Sequence, residues 1–155
     1  MKMSIFKLSI QKMTKIASLT IILLLSCAAP KKANTDLFFT TIYKSDYGNN
    51  ENASILHITN NDAYVKFIES LKLDESEFNK FLPVNFKENN IIVLNQGRKS
   101  SGGYSIDVET IRWENNTLLI FKKETTPKKG EQVTMALTSP YCITVIPKAK
   151  FVKLM

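Results

Sequence analysis

The segment that most constrains this chain is its first 26 residues, which combine four lysines, no acidic residue and an apolar run over residues 16–25. A basic start followed by a short apolar run is typical of an export signal. A membrane-spanning helix needs roughly 20 predominantly apolar residues, whereas this run leads directly into the polar segment 30–36. We therefore expect residues 1–26 to be removed, which leaves 129 residues to fold.

The residue that follows this segment is Cys27, reached through Leu24-Leu25-Ser26. The four residues resemble the lipobox of bacterial lipoproteins, in which a small residue precedes the cleavage point and the cysteine thiol carries the lipid. Two or three acyl chains give durable attachment where one would be marginal. We expect lipid attachment at Cys27, a tether over residues 27–36, and a lipid-anchored protein in the bacterial cell envelope. We favour the outer membrane as the site of attachment, with the protein on either its periplasmic or its surface face.

Charge and cysteine content narrow the function classes. The formal net charge is +7, but without the four lysines of residues 1–26 it falls to +3, so nothing indicates a nucleic-acid partner. If Cys27 carries lipid, Cys142 has no partner for a disulfide bond. The remaining length suits one domain, which we place at residues 37–155.

The first half of this domain predicts strands at residues 37–43 and 54–59, followed by two helices. Tyr64, Phe67, Ile68 and Leu71 share one helical face, and Asn60 or Asn61 can cap the helix start. Asp74 is placed to cap a second, shorter helix. Its apolar stripe comprises Phe78, Phe81 and Leu82, and Pro83 closes it.

The second half is dominated by β patterns. A continuous apolar run at residues 90–94 predicts a buried strand, and alternation predicts strands at 104–108, 133–137 and 141–145. A phase change predicts a bulge near Thr110, Asn115-Asn116 predicts a hairpin turn, and residues 151–154 predict a terminal strand. Early helices and late consecutive strands together predict an α+β fold, with short N-terminal helices packed on a mainly antiparallel β-sheet.

The domain offers few residues for catalysis. One histidine, His57, and one thiol, Cys142, are too few for a zinc site, which needs three or four ligands. Capping and the helix dipole account for the acidic residues at 74–77, and the glycine-rich loop 96–103 lacks the ending of a phosphate loop. We expect Gly102 and Gly103 to permit positive φ angles or close backbone approach. The sequence thus predicts no enzyme activity, no metal and no cofactor.

The segment Gly102-Gly103-Tyr104-Ser105-Ile106 resembles the C-terminal domain of the PrcB family, which comprises lipoproteins named for a subunit of a surface protease complex. The likeness continues through residues 124–127 and 133–141 and covers residues 83–154. The chain departs from the family pattern at Ser101, at Lys128-Lys129-Gly130 and at Cys142, where the family often has histidine.

The resemblance implies an accessory role, in which the protein binds or stabilises a secreted protease or another envelope protein without catalysis of its own. Tyr104 and Tyr141, beside accessible backbone at Gly102-Gly103 and next to Pro140, are the candidate partner-binding residues, because tyrosine is favoured at interfaces. Core packing is the alternative role for both tyrosines.

Two other functions stay open at this point. A protease inhibitor would insert loop 96–103 into an active-site cleft. An enzyme with a Cys142 nucleophile would need His57 beside the thiol in space.

Overall fold

The computed structural model describes residues 37–78, 81 and 83–155. Cys27, the tether and the export segment lie outside the described residues, as does Leu82 of the predicted helical stripe. In the described parts of the chain, the elements are β1 (Thr40–Ser45), β2 (Ser54–Ile58), α1 (Asn61–Ser70), α2 (Glu75–Phe78), β3 (Asn89–Asn95), β4 (Ser105–Glu114), β5 (Thr117–Thr125), β6 (Tyr141–Pro147) and β7 (Phe151–Leu154).

The strands form two sheets. The first has the order β1-β6-β3-β2, and every neighbouring pair in it is antiparallel. The second has the order β4-β5-β7, in which β4 and β5 are antiparallel and β5 and β7 are parallel. The predicted α+β fold, with helices packed on one sheet, is therefore wrong: the domain is mainly β, and its helices are short.

Strand β3 lies between two cores and contributes side chains to both. Its residues Ile92 and Leu94 share the core between the two sheets with Cys142 and Ile146 of β6. Residues on its other face, including Ile91, share a second core with α1. Because both faces are covered, the strand is apolar at every position from 91 to 94, which is the pattern that the sequence showed.

Helix α1 forms where the sequence predicts it. Asn60 caps it, since its Oδ1 accepts a hydrogen bond of 2.9 Å from the backbone N–H of Ala63. Tyr64 and Ile68 are buried in the second core. Helix α2 is a single turn that starts after Asp74, whose Oδ1 accepts from the Glu77 backbone N–H. Neither helix of the described residues has the length and apolar character needed to cross a bilayer.

In the second half of the domain, three of the local predictions are confirmed and one is wrong. The hairpin between β4 and β5 is confirmed, with Asn115 and Asn116 at positive φ, and so is the bulge, which lies between Val108 and Thr110. The terminal strand also forms, as β7. The strand predicted at residues 133–137 is wrong, because the whole segment 126–140 is a loop apart from isolated bridges.

Candidate interaction surface

Three connections meet at one end of the four-stranded sheet. They are loop 46–53 between β1 and β2, loop 96–104 between β3 and β4, and loop 126–140 between β5 and β6. The antiparallel order brings them together, because β1 and β3 end at this edge while β2 and β6 begin there. We call the exposed face of these loops the loop surface.

Ser139 joins loop 126–140 to loop 46–53. Its backbone N–H donates to Asp46 O at 2.7 Å, and its carbonyl accepts from Gly48 N at 2.8 Å. Its hydroxyl donates to Asn50 O at 2.7 Å and accepts from Asn50 N at 3.1 Å. One buried serine thus fixes the path of loop 46–53 through four hydrogen bonds.

Loop 126–140 is joined in the same way to loop 96–104. Lys99 and Thr138 exchange backbone hydrogen bonds of 2.8 and 3.0 Å, and the Thr138 hydroxyl donates to Ser101 O at 2.8 Å. Further along, Gly102 N donates to Thr134 O at 2.9 Å. These bonds order both loops although neither belongs to a sheet.

Gly97 and Gly103 in this region combine a positive φ with close packing at the Cβ position. Gly97 has φ +77, and a Cβ there would lie 2.7 Å from Ala53 N of loop 46–53. Gly103 has φ +83, and a Cβ there would lie 2.9 Å from side-chain carbons of Pro127 and Val133. The expectation that Gly102 and Gly103 permit positive φ or close approach is therefore confirmed at both positions, since Gly103 has a positive φ and a Cβ at Gly102 would overlap Thr134 Oγ1.

The loop surface exposes apolar side chains from two of its loops. Met135 is 91% exposed, Tyr47 66% and Leu137 62%. Tyr47 and Leu137 also line an open pocket of about 160 Å³, whose other lining residues are Asn49, Asn50, Arg98, Thr138 and Ser139. Large apolar side chains held on an ordered loop framework are a feature of binding surfaces.

Charges at the loop surface are partly balanced. The Arg98 guanidinium lies 2.8 Å from a carboxylate oxygen of Glu51, and both side chains are more than half exposed. An exposed pair of this kind contributes little stability. The loops are therefore held together mainly by the hydrogen bonds of Ser139 and Thr138 and not by this pair.

The predicted partner-binding residues separate into two groups. Gly103 is exposed, and Tyr104 is half-buried with Lys99 Nζ 5.5 Å from its ring centre; both lie at the loop surface, beside the buried Gly102. Pro140 and Tyr141 are buried beneath it. The structure thus brings the five residues into one region but leaves only Gly103 and Tyr104 within reach of a partner.

Tyr141 supports the loop surface from below. It belongs to the second core, where its ring centre lies 5.9 Å from that of Tyr43. Burial, together with nearby Tyr43 and Glu77, raises the pKa of Tyr141 well above its usual value. A Cβ at Gly48 would approach its ring to 2.7 Å, so the tyrosine also limits the path of loop 46–53.

The environment of Cys142 does not favour a nucleophile. The side chain is fully buried between the sheets, and this burial raises the pKa of the thiol to about 11. A reactive cysteine needs a lowered pKa and access to solvent. His57, the candidate base for this thiol, has a different partner: its Nε2 accepts a hydrogen bond of 2.8 Å from Asn90 Nδ2. Among the described residues, no group of three or more His, Cys, Asp or Glu side chains is placed to hold a metal.

Sequence reasoning missed the most exposed residues of this surface. The alternation at residues 133–137 predicts that Met135 and Leu137 lie on one face of a strand, and no pattern in the sequence singles out Tyr47. The available signal was the position of Met135 and Leu137 in a segment bounded by Lys128-Lys129-Gly130 and Ser139-Pro140. Such boundaries are typical of a loop.

Comparison with known proteins gives one family match. Residues 91–147 match the family model described as PrcB C-terminal. The matched segment runs from Ile91 within β3 to the end of β6 and includes loops 96–104 and 126–140. The match lies within the region 83–154 where the sequence showed the resemblance. Searches of curated proteins and of solved structures found no match.

Proposed function

Because residues 91–147 of this chain match the PrcB C-terminal family model, we propose that the protein is a non-enzymatic accessory subunit that binds or stabilises a protein partner in the bacterial cell envelope. A secreted protease is the partner that the family resemblance favours. The observation that carries the proposal is the exposure of Met135, Leu137 and Tyr47 on loops that are tied together by hydrogen bonds.

The physical argument is preorganisation. A loop that is already ordered loses little conformational entropy on binding, so more of the contact energy appears as affinity. Tyrosine provides a rigid contact, and methionine adapts its shape to an apolar partner. The bonds made by Ser139 and Thr138 hold these side chains on a defined framework.

The inhibitor alternative has less support. Its proposed reactive segment, loop 96–103, begins with the buried residues Gln96 and Gly97. Backbone bonds at Lys99 and Gly102 then hold it against loop 126–140. Insertion into a protease cleft would have to break these bonds, whereas binding through Met135 and Leu137 would keep them.

Attachment to a membrane through Cys27 is part of the proposal. It rests on the sequence of residues 1–27, which lie outside the described part of the chain. We expect Cys27→Ser to abolish incorporation of a labelled fatty acid, because serine has no thiol to carry the lipid. Equal labelling of the variant and the parent protein would contradict the assignment.

The partner-binding role is tested by changing the loop surface without changing the fold. The full chain is cross-linked mildly in its own membranes, recovered by affinity, and its partners are identified by mass spectrometry. We expect Leu137→Glu to lose a partner that the parent protein recovers in stoichiometric amount, because a carboxylate would be desolvated at the contact.

The matched control is Phe151→Glu. Phe151 is also an exposed apolar residue, but it pairs with Thr117 at the opposite end of the domain. The control should recover the partner as the parent does, and thermal unfolding should show that both variants fold. Recovery of the same partner by Leu137→Glu and by the parent would refute the proposed surface.

A further inference from the structure

The free edges of the two sheets differ in how they are protected. β1 has a register shift between Thr41 and Tyr43 and carries Lys44. β4 has a bulge between Val108 and Thr110 and carries four charged residues, Asp107, Glu109, Arg112 and Glu114. β7 has four residues, one of them Lys153. Bulges, charges and short length all discourage the pairing of a further strand.

β2 has neither a bulge nor a charged residue. Its five residues, Ser54-Ile55-Leu56-His57-Ile58, include no Asp, Glu, Lys, Arg or proline. They pair with β3 residue by residue without a register shift, and in the described chain β3 is the neighbour to which β2 is hydrogen-bonded. Its outer edge therefore presents a regular row of backbone donors and acceptors.

The side chains of β2 also suit strand addition. Ile55 is 37% exposed and Leu56 43% exposed. Successive side chains of a strand point to opposite faces, and Ile58, which shares a face with Leu56, lies in the core formed with α1. An added strand would thus find one apolar contact on each face of the sheet.

We propose that the outer edge of β2 binds an extended, uncharged segment of the protein partner, which adds to the four-stranded sheet as a fifth strand. Backbone hydrogen bonds would supply the affinity, and alternate side chains beside Ile55 and Leu56 would supply the specificity. This inference rests on the proposed function, because it identifies how the same partner is held.

Continuity with the loop surface favours a partner over a second copy of this chain. β2 begins at Ser54, whose hydroxyl accepts from Asn95 Nδ2, and Asn95 Oδ1 accepts from Asn50 of the pocket. A partner segment that leaves the edge at Ser54 therefore arrives at the loop surface. Antiparallel pairing of two copies about Leu56 would instead place their loop surfaces at opposite ends of the joined sheet.

The test places the photo-cross-linking residue benzoylphenylalanine at position 55 or 56 of the full-length chain in its own membranes. The matched control places it at Arg112, on the edge of β4. We expect both β2 positions to attach to one short segment of the partner. A synthetic peptide of that segment should then slow amide exchange in β2 of the purified full-length protein. Adducts no stronger than those at position 112, or adducts between two copies of the chain, would overturn the inference.

Charged variants separate this inference from the proposed function. We expect Ile55→Lys and Leu56→Lys to reduce partner recovery at least about tenfold, because an ammonium group would be buried against the added strand. If Leu137→Glu loses the partner while both lysine variants recover it fully, the edge inference fails and the proposed function stands. If all three variants recover the partner fully, both fail.

Discussion

At the scale of single residues, the loop surface depends on positions where a side chain does not fit. Gly97 combines a left-handed conformation with backbone of loop 46–53 at 2.7 Å from the position of a Cβ. Gly130 has a similar φ of +84, but no atom lies within 4 Å of its Cβ position. A side chain at Gly130 would therefore meet only the conformational cost of positive φ, whereas a side chain at Gly97 would also meet a steric cost.

We expect Gly130→Ala to lower the free energy of unfolding by about 1 kcal/mol, the cost of the left-handed conformation. Gly97→Ala should cost at least about 1 kcal/mol more, because the backbone at Asn52 and Ala53 must also shift. Denaturant unfolding of the purified protein measures both values. Equal losses for the two variants would show that loop 46–53 is not held against Gly97 as described.

At the scale of elements, one side chain links three parts of the fold, namely β3, β2 and the connection between β6 and β7. Asn90 of β3 donates through Nδ2 to His57 Nε2 of β2 at 2.8 Å and to Ala149 O, in the connection between β6 and β7, at 2.7 Å. This arrangement requires an unprotonated Nε2 on His57. Burial acts in the same direction, since it lowers the pKa of His57 below 6.5.

The link predicts how stability varies with pH. Between the lowered pKa of folded His57 and the value of 6.5 expected for the unfolded chain, the unfolded state binds more protons, so stability decreases as pH falls through this range. His57 is the only histidine of the chain. Denaturant midpoints measured from pH 7 to pH 5 should fall for the parent protein and should change less for His57→Gln. The same decrease in both proteins would contradict the assignment.

Elements defined by local signals could be predicted from the sequence. The Asn60 cap, the Tyr64–Ile68 face and the Asn115-Asn116 turn each depend on residues close together in the chain. The division into two sheets could not be predicted, because β6 pairs with β1 and β3 and not with the strand before it. The segment 133–137 has strand-like alternation, but the backbone carbonyl of Thr134 accepts from Gly102 N of loop 96–104, a contact that only the tertiary structure reveals.

Part of the candidate site could also be predicted from the sequence. Gly103 and Tyr104 were identified from the family resemblance and lie at the loop surface. Tyr141 was identified on the same basis, but its strand is central in the first sheet, so its side chain is buried. Exposure depends on which strands cover each face, and no local pattern contains that information.

At the scale of the whole molecule, the four-stranded sheet separates two cores that share its strands. Ile92 faces the core between the sheets, whereas Ile143 faces the core with α1, and both side chains are fully buried. The two residues lie on adjacent strands, β3 and β6. Loss of either core would uncover one face of the same sheet, so neither core is expected to survive the unfolding of the other.

We therefore predict one cooperative unfolding transition. Ile92→Val and Ile143→Val should each lower the free energy of unfolding by about 0.5–1.5 kcal/mol. Fluorescence of Trp113 in β4 reports on the three-stranded sheet, and amide exchange in α1 reports on the other layer. Both probes should give the same loss for each variant, because each substitution weakens the sheet that the two cores have in common. If Ile143→Val destabilised α1 and left the Trp113 transition unchanged, the two cores would be independent units, and a partner bound at the loop surface or at β2 would stabilise only one of them.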